Sequence, residues 1–173
     1  MKYLYLIFIS MMFLQCDDTV EDVEIFGMSP EYIMLEEGQI LSKEPKPYED
    51  LSNFIVYGDY LLLVDRGNGV HVVDNQNPNM PIDISFIEMP GTIGVVAIQD
   101  NLVISLANYL ITVDISDYTN AYIINIFELE NSAQGFGLYP LDYNGYFECA
   151  MPEKGIVYDW VRKSLTNPKC HTN

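Results

Sequence analysis

From residue 54 onward, short apolar runs alternate with polar turn residues, the pattern of successive strands separated by tight turns. Eight such runs are predicted as strands: Phe54–Tyr57, Tyr60–Val64, Val70–Val73, Asp83–Glu88, Val95–Ile98, Leu102–Leu106, Leu110–Val113 and Tyr122–Leu129. They are rich in β-branched and aromatic residues, which fit a pleated, half-buried surface. Gly58-Asp59, Gly67-Asn68-Gly69, Asn77-Pro78 and Pro90-Gly91 separate them as turns. No segment keeps a 3.6-residue period over three turns, so an all-β fold is expected.

The first 52 residues read differently. Lys2 is followed by an uncharged run, Tyr3 to Leu14, the charged and apolar regions of a signal peptide over residues 1–15. The run is too short for a spanning helix, which needs about 20 residues. Phe13-Leu14-Gln15-Cys16 resembles a bacterial lipobox, with Gln15 where that motif has a small residue. The resemblance implies cleavage before Cys16 and acylation of its thiol, since stable anchoring takes more than one acyl chain. The other reading is ordinary cleavage nearby, with Cys16 incidental. Asp17, Asp18, Glu21, Asp22 and Glu24 follow, and Pro30, Pro45 and Pro47 interrupt what comes after. Residues 16–52 therefore read as an acidic spacer carrying a short strand at Tyr32–Leu35. Acidic residues directly behind the cysteine also resemble the export tag of surface lipoproteins in some Gram-negative bacteria. The expected location is the outer membrane, at the cell surface.

Residues 53–173 contain a repeat. Asp59-Tyr60-Leu61 falls on Asp100-Asn101-Leu102 at an offset of 41, and Val73-Asp74 falls on Val113-Asp114 at 40. A period near 40 residues matches one four-stranded blade of a propeller. A third, degenerate copy is expected where Asn144–Phe147 and Gly155–Val157 echo the first. Leu61-Leu62-Leu63-Val64-Asp65, Val70-His71-Val72-Val73-Asp74 with Asn77-Pro78, and Ile111-Thr112-Val113-Asp114-Ile115-Ser116-Asp117 resemble the LVIVD repeat of bacterial surface β-propellers. Tyr118 stands where that repeat has proline. The resemblance implies a partial or degenerate β-propeller of two to three antiparallel blades. Open blades leave apolar faces uncovered. The chain is then a truncated member of a longer family, closes by self-association, or is capped by its terminal segments.

Composition and charge narrow the partners. Of 173 residues, 25 are acidic and 8 basic, a formal charge of −17, and removing Met1–Gln15 takes away only Lys2. Such a surface repels phosphate backbones, which excludes nucleic acid. Tyrosine is abundant, with 13 residues, and suits half-buried strands with a wet hydroxyl. Cys149 and Cys170 form an even pair, expected as a disulfide in an oxidising compartment.

No catalytic constellation stands out, and no cofactor or metal is implied. There are two histidines, His71 and His171. His71 lies within a strand, as a surface residue or a satisfied half-buried one. Asp65-Arg66-Gly67-Asn68-Gly69 lacks the alternating ligands and distal glutamate of a calcium loop, and Gly67-Asn68-Gly69 is a turn rather than a phosphate cradle. Asp74 and Asp114 recur at equivalent positions, where each is expected to accept backbone N–H groups in the following turn. Trp160 and the tyrosines are expected as core and rim residues. The expected function is non-catalytic: a lipid-anchored surface protein that binds protein or glycan. The alternatives are an accessory or sensor subunit of an envelope enzyme or transporter complex, or a fragment without independent activity.

Overall fold

The computed structural model describes residues 22–129 and 137–172; the signal peptide and Cys16 lie outside the described residues. The protein is all-β, with thirteen described strands: β1 (Glu24–Ile33), β2 (Ser42–Lys43), β3 (Leu51–Tyr57), β4 (Tyr60–Asp65), β5 (Gly69–Asp74), β6 (Ile82–Glu88), β7 (Thr92–Ile98), β8 (Asn101–Leu106), β9 (Tyr109–Asp114), β10 (Tyr122–Glu128), β11 (Gly145–Phe147), β12 (Ile156–Thr166) and β13 (Cys170–Thr172). They form three sheets, ordered β2-β6-β5-β4-β3, β10-β9-β8-β7 and β12-β1-β11-β13.

Strands β3 to β6 and β7 to β10 are two antiparallel meanders, each strand pairing with the next in sequence. The starts of β3 and β4 recur in β7 and β8 at an offset of 41, and those of β5 and β6 in β9 and β10 at 40. The single-residue difference lies in one turn: residues 66–68 join β4 to β5, whereas Ala107 and Asn108 join β8 to β9. The longer turn runs into Gly69, where an added Cβ would lie 2.1 Å from the carbonyl oxygen of Ile87. Only glycine permits that approach.

Alternation gives each meander two faces, and the meanders stack on each other. Leu62, Val64, Val70 and Val72 of the first share one buried core with Leu102, Ile104, Ile111 and Val113 of the second. Each such side chain taken from water contributes about 1.5–3 kcal/mol. β7 runs alongside β3 and β4 where the sheets meet.

The N-terminal segment is part of this fold, which corrects the expected spacer over residues 16–52 as far as its residues are described. Glu88 and Ile123 donate their N–H groups to Leu41 and Gln39, at 3.0 Å each. Gly38 and Leu41 donate to the carbonyls of Ile123 (2.7 Å) and Ala121 (2.8 Å). The segment thereby ties the outer strands β6 and β10 together, and Leu41 is buried in the shared core. The acidic neighbours hide this role from composition: Leu41 is buried in the core and Ile33 and Leu35 pack against it, while Glu36, Glu37 and Gln39 stay exposed.

The third sheet is not a third copy of the repeat, which corrects the echo expected at Asn144–Phe147 and Gly155–Val157. β11 pairs parallel with β1 and antiparallel with β13, and β12 pairs with β1 rather than with β11. A strand from the start of the chain thus lies between strands from its end. β1 runs well upstream of the strand expected at Tyr32–Leu35. Pro30 sits beside a bulge at Glu31/Tyr32, where a missing N–H is tolerated. Few side chains are buried here, Phe147, Val157 and Leu165 among them. A disulfide joins Cys149 to Cys170 at the β11–β13 edge. Closing a loop of 21 residues stabilises by about 3 kcal/mol on the chain-entropy account.

Candidate binding surface

Both meanders place their β3–β4, β5–β6, β7–β8 and β9–β10 connections at one end of the stack, and those connections carry the aspartates. Asp74 Oδ1 accepts the N–H of Gln76 at 2.8 Å, and Asp114 Oδ1 accepts the N–H and Oγ–H of Ser116 at 2.9 and 2.6 Å. Three residues on, Asn77 Oδ1 accepts the N–H of Asn79 (3.2 Å), and Asp117 Oδ1 accepts the N–H and Oγ1–H of Thr119 (2.9 and 2.7 Å). Each loop is therefore two successive Asx turns. Bonds from the side chain and backbone of Ser116 lower the Asp114 carboxyl, and Thr119 does the same for Asp117. The N–H groups of Asn75 and Ile115 bind the carbonyls of Asp59 and Asp100, both at 2.8 Å, which fixes each loop on its hairpin turn.

Tyrosines fill the seam between the meanders at this end. Tyr57 Oη donates to Asp100 Oδ1 at 2.9 Å, and the rings of Tyr60 and Tyr118 lie 4.5 Å apart. Tyr118 occupies the position equivalent to Pro78, and its carbonyl accepts the hydroxyls of Ser42 and Ser85 at 2.8 Å each. Burial, then the neighbouring Tyr57, Tyr60 and Asp100, push the Tyr118 hydroxyl up to about 12. The bond to Asp100 is the main cause of a raised Tyr57 hydroxyl. The three rings are half-buried, and Asp59, Asp100 and Asp117 are exposed. This is a fixed surface of aromatic faces beside carboxylates, suited to stacking on a sugar ring while accepting its hydroxyls, or to holding a polar peptide.

A second polar group lies on the outer face of the first meander, and it is closed. Asp65 and His71 are buried, with His71 Nε2 3.0 Å from Asp65 Oδ2. Asp65 also accepts the N–H groups of Glu49 and Asp50 and the amide of Asn68, each at 3.0 Å. Burial raises the Asp65 carboxyl, but the bonds from His71, Asp50, Asn68 and Glu49 outweigh it and hold it at about 2. The strap of residues 44–50 lies over the pair. Tyr48 meets His71 edge-on at 4.7 Å and bonds Asp83, while Lys46 sits over Phe86 and pairs with Glu88.

Comparison with protein-family models, with curated proteins and with solved structures finds no match. The surface is therefore read from its own geometry.

Asp74 and Asp114 stand together at the loop end and are both occupied in holding turns. His71 is fully buried rather than half-buried, with its partner supplied six residues earlier. Asn68, in the Gly67-Asn68-Gly69 turn, serves Asp65. His171 packs its ring on Tyr146 at 4.8 Å, and Trp160 meets Phe147 edge-on at 5.6 Å, both in the third sheet and away from the loop end. Sequence reasoning missed the Tyr57–Tyr60–Tyr118 seam and the Asp65 clasp. The two copies carried the signal. Asp65 and His71 stand where the second copy has Leu106 and Ile111, polar residues at positions whose equivalents are apolar.

Proposed function

We propose that this chain is a non-catalytic, lipid-anchored cell-surface protein that binds glycan or protein at the loop end of two stacked repeats. In this reading the meanders are blades of a partial β-propeller and Cys16 carries the membrane anchor. The carrying observation is the seam itself: Tyr57 bonded to Asp100 across the meanders, with Tyr60 and Tyr118 packed beside it. Rigid sheets presenting loops suit recognition without chemistry. The buried Asp65–His71 pair, in turn, has its bonding capacity taken up by the strap.

Glycan and peptide arrays probed with the full chain, and with Tyr57→Ala and Asp100→Ala variants, test the proposal. Binding that both substitutions abolish supports it. Array binding that neither variant alters, or no binding at all, overturns it. The anchor is tested by the intact mass of the membrane-extracted protein. Residues 16–173 plus a diacylglyceryl group and an N-acyl chain are expected, and a mass without lipid removes the anchor.

A further inference from the structure

The stacking inside the molecule leaves one unused copy of each face that forms it. Call the buried face of the first meander the Leu62 face, and that of the second the Ile104 face. The offsets of 41 and 40 map Ile55, Leu62, Val70 and Ile87 of the Leu62 face onto Val96, Val103, Leu110 and Phe127 of the second meander. Those four side chains lie on the opposite side of their sheet from Ile104, where Val96 is 57% and Phe127 55% exposed while Val103 and Leu110 between them are half-buried. Conversely, Val95, Ala97, Leu102 and Ile104 map onto Phe54, Val56, Leu61 and Leu63 on the outer side of the first meander. There Phe54 is 66% and Val56 65% exposed.

We propose that a second copy of this chain docks head to tail, its Phe54–Val56 face on the Val96–Phe127 face of the first. The contact repeats the pairing already made inside the molecule, and the open faces continue that interface. Three observations favour a second copy. The two exposed faces are complementary in kind, each matching one side of a stack that this sequence already forms. Both consist of apolar side chains at these mapped positions, so two chains of charge −17 meet through neutral patches rather than through their acidic surfaces. The strap of residues 44–50 covers His71 and Phe86 over β5 and β6 and Asp65 at the end of β4, but leaves Phe54 and Val56 of β3 exposed. β3 is one of the strands that β7 approaches within the molecule. Because the two faces differ, the contact is heterologous, and we take it to close as a ring of copies rather than run on as a filament. It does not depend on what the loop end binds.

The test is sedimentation velocity of the full chain in detergent, with the detergent mass accounted for. Wild type is expected as a discrete oligomer of two or more copies. Val96→Arg and Val56→Arg each alter an exposed side chain on one face, and each alone is expected to sediment as a monomer. Mixed together they are expected to form a dimer, because each supplies the intact face that the other lacks. A monomeric wild type overturns the proposal. So does a Val56→Arg chain that still self-associates, since that result means like faces pair with each other. Ile98→Lys and Phe54→Lys test the same two faces should either arginine variant fail to fold, as judged by near-ultraviolet circular dichroism.

Discussion

The two meanders differ in length by one residue and are turned by aspartates at equivalent positions, yet they treat other equivalent positions in opposite ways. Leu63 and Ile104 correspond, as do Asp65 and Leu106, and His71 and Ile111. In the second meander these positions face the neighbouring sheet and are apolar and buried. In the first they face outward, where a carboxylate, an imidazole and a strap replace packing with hydrogen bonds. A repeat with a neighbour on a given face can keep that face apolar, whereas one at the end of a stack must satisfy or cover it. The first meander has done so over β5, β6 and the Asp65 end of β4, and not over β3, where Phe54 and Val56 stay exposed.

Truncating the corresponding pair gives the largest contrast. Ile104→Ala should cost about 2–5 kcal/mol, the range for a buried aliphatic side chain, while Leu63→Ala should cost less than about 1.5 kcal/mol. Chemical denaturation of both variants checks this, and equal losses would mean that the outer face is packed as tightly as the core. Next in size is Asp65→Asn, expected to cost about 2–3 kcal/mol because it leaves buried donors without a charged acceptor. Amide exchange should accelerate at Glu49 and Asp50, which the carboxylate holds, and stay unchanged at Ile104.

Acid provides a third contrast. Asp65 titrates lower in the folded protein than in the unfolded chain, so its contribution is complete above about pH 4 and is lost as the pH falls through about 2. That contribution is on the order of 2 kcal/mol. A chain carrying Asp65→Leu and His71→Ile, the residues of the second meander, should show a shallower loss of stability between pH 4 and pH 2 than wild type. Identical acid unfolding curves would remove the clasp as a contributor. The smallest effect belongs to the hairpin turns. Gln99 has φ 51°, at the position where the first meander has Gly58 at φ 57°. Gln99→Gly should raise stability by less than about 1 kcal/mol by relieving a left-handed non-glycine residue, measured as a small upward shift in melting temperature.

The meanders were legible because their strands are short apolar runs rich in β-branched and aromatic residues, and every turn between them except Ala107-Asn108 carries glycine, proline or aspartate. All eight expected strands lie in the two meanders, with ends displaced by a few residues. β1 and β12 were not. Gly27 and Pro30 interrupt the first, and Asp159, Arg162 and Lys163 break the apolar pattern of the second. What holds these strands together is pairing with each other across the length of the chain, which no local window can register. The strap was hidden for a related reason: the Glu49 and Asp50 backbone N–H bonds to Asp65 leave no mark on side-chain pattern, and Lys46 and Tyr48 meet Glu88 and Asp83, 42 and 35 residues away, only in the fold. Tyr118 was noticed only as a departure from the repeat. Its value as a seam residue depends on Tyr60 from the other meander, a neighbour visible only in three dimensions.

The third sheet also sets an order of events in folding. Each meander pairs strands that are neighbours in sequence, so it can form as soon as its own forty residues are free. β1 pairs with β12 from Glu24 opposite Thr166 to Ile33 opposite Ile156, so the first described strand must wait for nearly the last. Contacts so far apart close slowly. A chain threaded through a membrane from its N-terminus would hold β1 as an unpaired edge, open to other strands, until residues 156–166 had followed it across.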